Sequence, residues 1–155
     1  MDIAKINFRT YCHATEDPNK VLKALGFLIG TELSENDFKP GSKHCKISRT
    51  KGYFGNPIIT YEVNLIKSRD IRSFWDGLRE KNPDLITELI PEIPARMDDD
   101  CYFHVRFDKQ KAYQEQLEFT VHGDCIVVKV KIKAYPAKKE LAIENIKIFF
   151  QSLLD

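Results

Sequence analysis

The sequence predicts an α+β fold, a two-layer sandwich in which a mostly antiparallel sheet carries helices on one face. Three observations predict it. Four segments alternate apolar and polar residues with a period of two, as half-buried strands do. Other stretches place apolar residues at helical spacing, so each forms a helix with one apolar face. The alternation is one-sided, whereas strands of a parallel doubly wound sheet are apolar on both faces.

The first strand covers Ile3 to His13, with Ile6, Phe8, Thr10 and Cys12 on one side. Lys5, Asn7, Arg9, Tyr11 and His13 take the other. A helix follows. Asp17 caps it, and Pro18 suits the first helical position, where no N–H is needed. Val21, Leu22, Leu25 and Leu28 repeat at helical spacing until Gly30 stops the helix. Thr31 to Gly41 is polar and reads as loop; Lys43 to Arg49 reads as a short strand. Lys51 to Pro57 is a tight connection into a strand from Ile58 to Ile66.

Ser68 is the next predicted N-cap, and Ile71, Phe74, Trp75 and Leu78 form that helix's apolar face. Asn82-Pro83 interrupts it, and a second short helix runs from Asp84 to Ile90. Asp98-Asp99-Asp100 reads as a turn before a strand from Cys101 to Asp108. A short strand is expected at Gln116 to Val121 and a turn at His122-Gly123-Asp124. Cys125 to Ala134 is the clearest strand, with Ile126, Val128, Val130 and Ile132 opposed to Lys129, Lys131 and Lys133. A last helix from Glu140 to Leu154 buries Leu141, Ile143, Ile146, Phe149, Phe150 and Leu153.

With 155 residues, the chain suits one domain, residues 1–155, able to bury a core without covalent staples. No run approaches the ~18 apolar residues of a membrane span, and the N-terminus lacks a signal-peptide pattern. A cytoplasmic protein with no membrane partner is expected. Cys12, Cys45, Cys101 and Cys125 are far apart with no C-x-x-C pair, so reduced, mostly buried thiols are expected rather than a metal site.

The formal net charge is only +1, yet the charges are unevenly placed. Arg9, Tyr11, His13, Tyr102, His104, Arg106, Lys129, Lys131 and Lys133 point away from the core along the strands. Lys39, Lys43, Lys46, Arg49 and Lys51 add a basic stretch, while Asp70, Asp76, Glu80, Asp84, Glu88 and Glu92 gather in the central helices. Cations interleaved with aromatics on an open sheet face suit RNA, through phosphate neutralisation and base stacking. A solvated antiparallel face or a protein interface explains the same pattern.

No phosphate loop, nucleotide fingerprint, nucleophile elbow or H-E-x-x-H is present. His13 beside Glu16 and Asp17 suits acid–base work or a phosphate contact; alternatively the two acids only favour the helix N-terminus. Asp98, Asp99 and Asp100 could hold Mg²⁺, but consecutive acids more commonly form a solvated turn. Arg106-Phe107-Asp108-Lys109-Gln110 is either an ion-paired strand end or a phosphate contact.

Four motifs carry a family resemblance. His13-Ala14-Thr15-Glu16-Asp17, followed by Lys20-Val21 and Ala24-Leu25, resembles the opening of an archaeal RNA-binding family described as predicted exosome-associated subunits. Gly52-Tyr53-Phe54-Gly55-Asn56-Pro57-Ile58 is similar to its glycine-asparagine-proline loop. Arg96-Met97-Asp98 is similar to its R-x-D step, and Arg106 to Tyr113 to its R-x-D-K-Q segment. Gln114-Glu115 stands where the family pattern has a glycine. The resemblance implies a fold like the 5S-rRNA-binding ribosomal protein, RNA binding, and no catalytic residues. Gly52 and Gly55 allow positive φ or close backbone approach, which an RNA phosphate or simply a structural loop could use.

The resulting expectation is a non-catalytic RNA-binding protein, an accessory of the archaeal exosome or of ribosome-related RNA processing. It is not an enzyme, and it has no cofactor and no metal. Its expected RNA contacts are Arg9, Tyr11, His13, Lys43, Lys46, Arg49, Gly52, Gly55, Asn56, Arg106, Lys109, Lys129, Lys131 and Lys133. RNA and exosome subunits are the expected partners. A protein adaptor that docks through its helices or apolar C-terminal end is the alternative. A metal-dependent RNA-cleaving enzyme using Asp98, Asp100 or Asp108 is the weaker one.

Overall fold

A computed structural model describes residues 2–121 and 123–155. Met1 and His122 lie outside the described residues, so the expected turn at 122–124 is described only by Gly123 and Asp124. The strands are β1 (Ile3–Cys12), β2 (Cys45–Lys51), β3 (Pro57–Leu65), β4 (Tyr102–Asp108) and β5 (Cys125–Ile132). The helices are α1 (Pro18–Ile29), α2 (Ser68–Lys81), α3 (Asp84–Leu89), α4 (Ile93–Arg96), α5 (Lys109–Tyr113) and α6 (Lys139–Leu154). The strands form an open antiparallel sheet in the order β2-β3-β1-β5-β4, which bears out the α+β reading. Among the described residues no helix is long and apolar enough to cross a membrane.

Two compact units make up the chain. The first comprises Met1–Ile6, Leu65–Val105 and Lys129–Asp155. Its core is aromatic: the Trp75 ring centroid lies 5.0 Å from Phe74, 5.9 Å from Phe149 and 5.2 Å from Phe150. Phe103 of β4 meets Phe150 at 5.6 Å. The tilted ring pairs bring positive ring edges toward neighbouring faces. Arg79 ties α2 to the end of α6 by donating to the Leu153 carbonyl at 2.6 Å.

The second unit comprises Asn7–Asn64 and Arg106–Val128. The Asn7 amide donates to Asn64 at 2.9 Å, and Arg9 approaches Glu62 at 3.7 Å, which fixes β1 against β3. Phe8, Tyr61 and Phe107 are buried, and α5 packs on α1. Asp17 caps α1 by accepting from the Asn19 N–H at 2.9 Å, with Pro18 following as expected. Gly30 ends α1 at φ +95°, and its N–H closes on the Gly26 carbonyl. A side chain there would meet the steric penalty of the left-handed region. Gly30→Ala is expected to cost about 1 kcal/mol, read as a lowered urea midpoint with unchanged slope.

Several sequence expectations need correction. Lys67, not Ser68, caps α2, and no side chain closes its first turn. The strand expected at Gln116 to Val121 reduces to a single bridge, Phe107 to Phe119, closed by the Asp108 N–H on the Glu118 carbonyl and the Thr120 N–H on the Arg106 carbonyl. Thr31 to Gly41 contains a 3₁₀ turn, Glu35–Phe38, which buries Phe38. In α6, Ala142 is buried while Leu141 and Ile143 are half-buried, so the apolar stripe is rotated from that expected.

Candidate nucleic-acid interface

In the second unit, β2 and β3 form a hairpin paired from Cys45↔Val63 to Lys51↔Pro57. The loop between them is held by Gly52 donating to the Asn56 carbonyl at 2.6 Å and Gly55 to the Gly52 carbonyl at 2.9 Å. Gly55 sits at φ +78°, where L side chains are strained. At Gly52 a Cβ would lie 3.0 Å from the Ile58 side chain. This tight loop projects two aromatics into solvent: Tyr53 is 96% exposed and Phe54 85%. Their rings meet edge to face at 5.0 Å. The expected contacts Gly52, Gly55 and Asn56 therefore form the frame of this tip. Tyr53 and Phe54, which the sequence reading passed over, are its exposed surface.

Lys43, Lys46, Arg49 and Lys51 are all exposed. Strand register divides them. Lys46 opposes Glu62, whereas Arg49 and Lys51 share the parity of Ile47, which opposes the buried Tyr61. Period-two geometry thus puts Lys46 on one face of the hairpin and Arg49 with Lys51 on the other. Lys51, the last residue of β2, adjoins the aromatic tip, with Arg49 two residues behind it on the same face; Lys46 lies five residues back from Lys51.

The first unit has a second cation–aromatic group. Lys131 Nζ lies 4.7 Å from the Tyr102 ring centroid and Lys129 Nζ 5.9 Å, so the ring carries two ammonium groups. Lys131 also donates to the Asp100 carbonyl at 2.6 Å, and Lys133 is exposed. Next to them, His104 Nε2 meets Asp98 at 2.7 Å. Asp98 also accepts from the backbone N–H groups of Asp100 and Tyr102, both at 2.9 Å. Burial alone would raise the Asp98 carboxyl, but His104 and these N–H groups outweigh it and hold it below the usual carboxylate value. Asp98 thus organises its own turn, and Asp108 likewise caps α5 by accepting from Lys111 N–H at 2.8 Å.

Lys109 follows Asp108 and differs from the other basic candidates. Its side chain is only 7% exposed. Its ammonium donates to the Tyr11 carbonyl at 2.8 Å, to Glu16 at 2.9 Å, and meets Asp124 at 2.6 Å. His13 lies over the same carboxylates, 3.6 Å from Asp124 and 4.0 Å from Glu16. Ligand atoms of His13, Glu16 and Asp124 all lie within 4.8 Å of one another, a set able to hold a cation. The Lys109 ammonium already serves both carboxylates. Burial would raise the Glu16 carboxyl; the Lys109 ammonium, His13 backbone N–H and His13 ring outweigh it and lower it. His13 therefore faces acids, Tyr11 and Arg106 are exposed, and Arg9 reaches toward Glu62.

Beside this network lies a cleft of about 310 Å³ between the start of α1 and α5. Its walls are Thr15, Glu16, Asp17 and Lys20 on one side and Lys109, Gln110 and Tyr113 on the other. These are residues of the first and last sequence motifs, brought together by the α1–α5 packing. Of the cysteines, Cys12, Cys101 and Cys125 are buried and Cys45 is half-buried.

Comparison with known proteins is consistent with these surfaces. A family model described as RNA binding matches residues 5–133. RNA-binding protein PAB1135 of Pyrococcus abyssi is 38% identical over 146 residues, covering 92% of this chain and 90% of that protein. Uncharacterized protein MJ0213 of Methanocaldococcus jannaschii is 32% identical over 145 residues, covering 91% and 93%. Among solved structures, Mth689, a DUF54 protein from Methanothermobacter thermautotrophicus, is similar at a TM-score of 0.75 and 33% identity, with 100% of both chains covered.

Proposed function

The chain belongs to an archaeal RNA-binding protein family, and from that premise we propose that it is a non-catalytic RNA-binding protein of the archaeal cytoplasm. The observation that carries this reading is the hairpin tip: two solvent-exposed aromatics that follow directly on the basic strand β2. Exposed rings offer stacking to bases, and the cations offer neutralisation to phosphates. Tyr102 with Lys129, Lys131 and Lys133 supplies a second place of the same chemistry. Arg9, Tyr11, His13, Arg106 and the frame residues Gly52, Gly55 and Asn56 are proposed to border these contacts. Lys109 holds the Tyr11 carbonyl and the Glu16 and Asp124 carboxylates beside His13. The likeness to the 5S-rRNA-binding ribosomal protein, and an accessory role at the exosome or in ribosome-related RNA processing, belong to the same proposal.

The test is RNA binding by fluorescence anisotropy across a salt series. Affinity should fall linearly with salt on logarithmic axes. Reversing Lys129, Lys131 and Lys133 to glutamate should weaken binding and flatten that slope by about 2 for single-stranded RNA. No binding at low salt, or binding indifferent to salt, would sink the reading.

A second reading, a protein adaptor, is favoured by Ile148 and Leu154 of α6, which are 58% and 44% exposed. The same lysine variant separates the two. An adaptor would still recover its exosome partner after losing RNA.

A further inference from the structure

The cleft between α1 and α5 combines three kinds of group that together match one nucleotide. We propose that it binds a single unstacked RNA base, with guanine preferred. This rests on the RNA-binding reading above and assigns one contact within it.

The first group is aromatic. Tyr113 is half-buried on the α5 wall, so its ring is held in place and still reachable. Bases stack on such rings irrespective of sequence. The second group is cationic. Lys23 Nζ lies 5.0 Å and Lys20 Nζ 5.8 Å from the Tyr113 centroid. Neither ammonium is ion-paired with a carboxylate among the described residues, so both remain available to a phosphate next to the stacked base.

The third group sets the preference. Asp17 Oδ1 accepts from the Asn19 N–H, which fixes the carboxylate at the mouth of the cleft. Among the described residues no hydrogen bond to its other oxygen is found, and that oxygen is assigned to the base. Glu16, by contrast, is already engaged by Lys109 and the His13 N–H. A carboxylate accepts hydrogen bonds and donates none. Guanine presents two adjacent donors, N1–H and N2–H₂, which suit it. Uracil presents one donor between two carbonyl oxygens, which the carboxylate repels. Gln110 on the facing wall can both donate and accept.

The cleft is also preorganised. Its wall residue Lys109 is buried and tied to three partners elsewhere in the chain. Little ordering is therefore required when a base enters.

The experiment is a titration of ¹⁵N-labelled full-length protein with guanosine monophosphate and, separately, uridine monophosphate. RNA anisotropy is run on the same samples. Guanosine monophosphate should shift the amides of Thr15, Lys20 and Tyr113 and bind about tenfold more tightly than uridine monophosphate. Tyr113→Phe should bind as wild type does, and Tyr113→Ala about tenfold more weakly. Tyr113→Leu, which keeps apolar packing without a stacking face, carries the same expectation if the alanine variant fails to fold. Equal affinity for the two nucleotides, no shifts at these amides, or undiminished binding by both Tyr113→Ala and Tyr113→Leu would overturn the proposal. If RNA still binds in any of those cases, only this inference fails. If RNA does not bind at low salt, the wider reading fails.

Discussion

Replacing Tyr53 and Phe54 together by alanine is expected to weaken single-stranded RNA binding by about 30-fold, about 2 kcal/mol, while stability stays nearly unchanged. The two effects separate because the rings contribute almost nothing to the core: they are 96% and 85% exposed. Their mutual edge-to-face contact is the only ring pair at the tip among the described residues. Exposed apolar rings are costly to leave in water, and a hairpin tip needs none to close, since backbone hydrogen bonds from Gly52 and Gly55 close this one. Base stacking is worth roughly 1–3 kcal/mol per base, so losing two weak stacks gives the expected loss. The salt slope should not change, because no cation is removed. That combination distinguishes stacking from phosphate contact. Anisotropy with a single-stranded and a fully duplexed RNA reads it: the variant should lose the first far more than the second. Equal losses on both would mean that the tip touches backbone rather than bases. No loss would remove it from the interface.

The sequence disclosed the strands and helices more completely than the surfaces they present. One-sided alternation placed Ile126, Val128, Val130 and Ile132 on the buried side of β5, where all four are found. Such periodicity is local, and burial enforces it. The same period-two rule, applied to Lys46, Arg49 and Lys51, would have divided these residues between two faces, yet in sequence they read as one basic stretch. Tyr53 and Phe54 were legible in principle. Two aromatics enclosed by glycines in a five-residue loop have no apolar neighbours in phase with them, so they cannot be pulled into a core. Lys109 was not legible. It lies in a recognisable motif with the composition of a phosphate contact, but its burial is decided by Tyr11, 98 positions away, and by Glu16 and Asp124. No local pattern encodes a pairing at that separation. The same holds for the cleft, whose two walls are distant in sequence and meet only when α5 packs on α1.

Lys109→Met is expected to lower stability by about 2–3 kcal/mol near neutral pH, the largest single-site loss outside the apolar core. Methionine keeps most of the stem's volume, so packing changes little. What disappears is the ammonium between two carboxylates and the donor to the Tyr11 carbonyl. Breaking a buried pair typically costs about 3–5 kcal/mol, because the remaining partner is left buried and uncompensated. Glu16 and Asp124 here are 28% and 42% exposed, so water screens part of that loss. The pH dependence then identifies the cause. In the folded protein Glu16 is held below its ordinary value, so the stability it contributes is fully present above the unfolded carboxylate pKa of about 4.3. That contribution is lost as pH falls through the lower folded value. Without Lys109, burial acts on Glu16 with less opposition and its carboxyl moves upward. The variant therefore forgoes at pH 7 much of what the wild type loses only in acid. Urea unfolding at pH 7 and again near pH 3 should show the difference between the two proteins shrinking as Glu16 protonates. A difference that stays constant with pH would mean that the loss comes from packing and the Tyr11 hydrogen bond, not from the ion pairs.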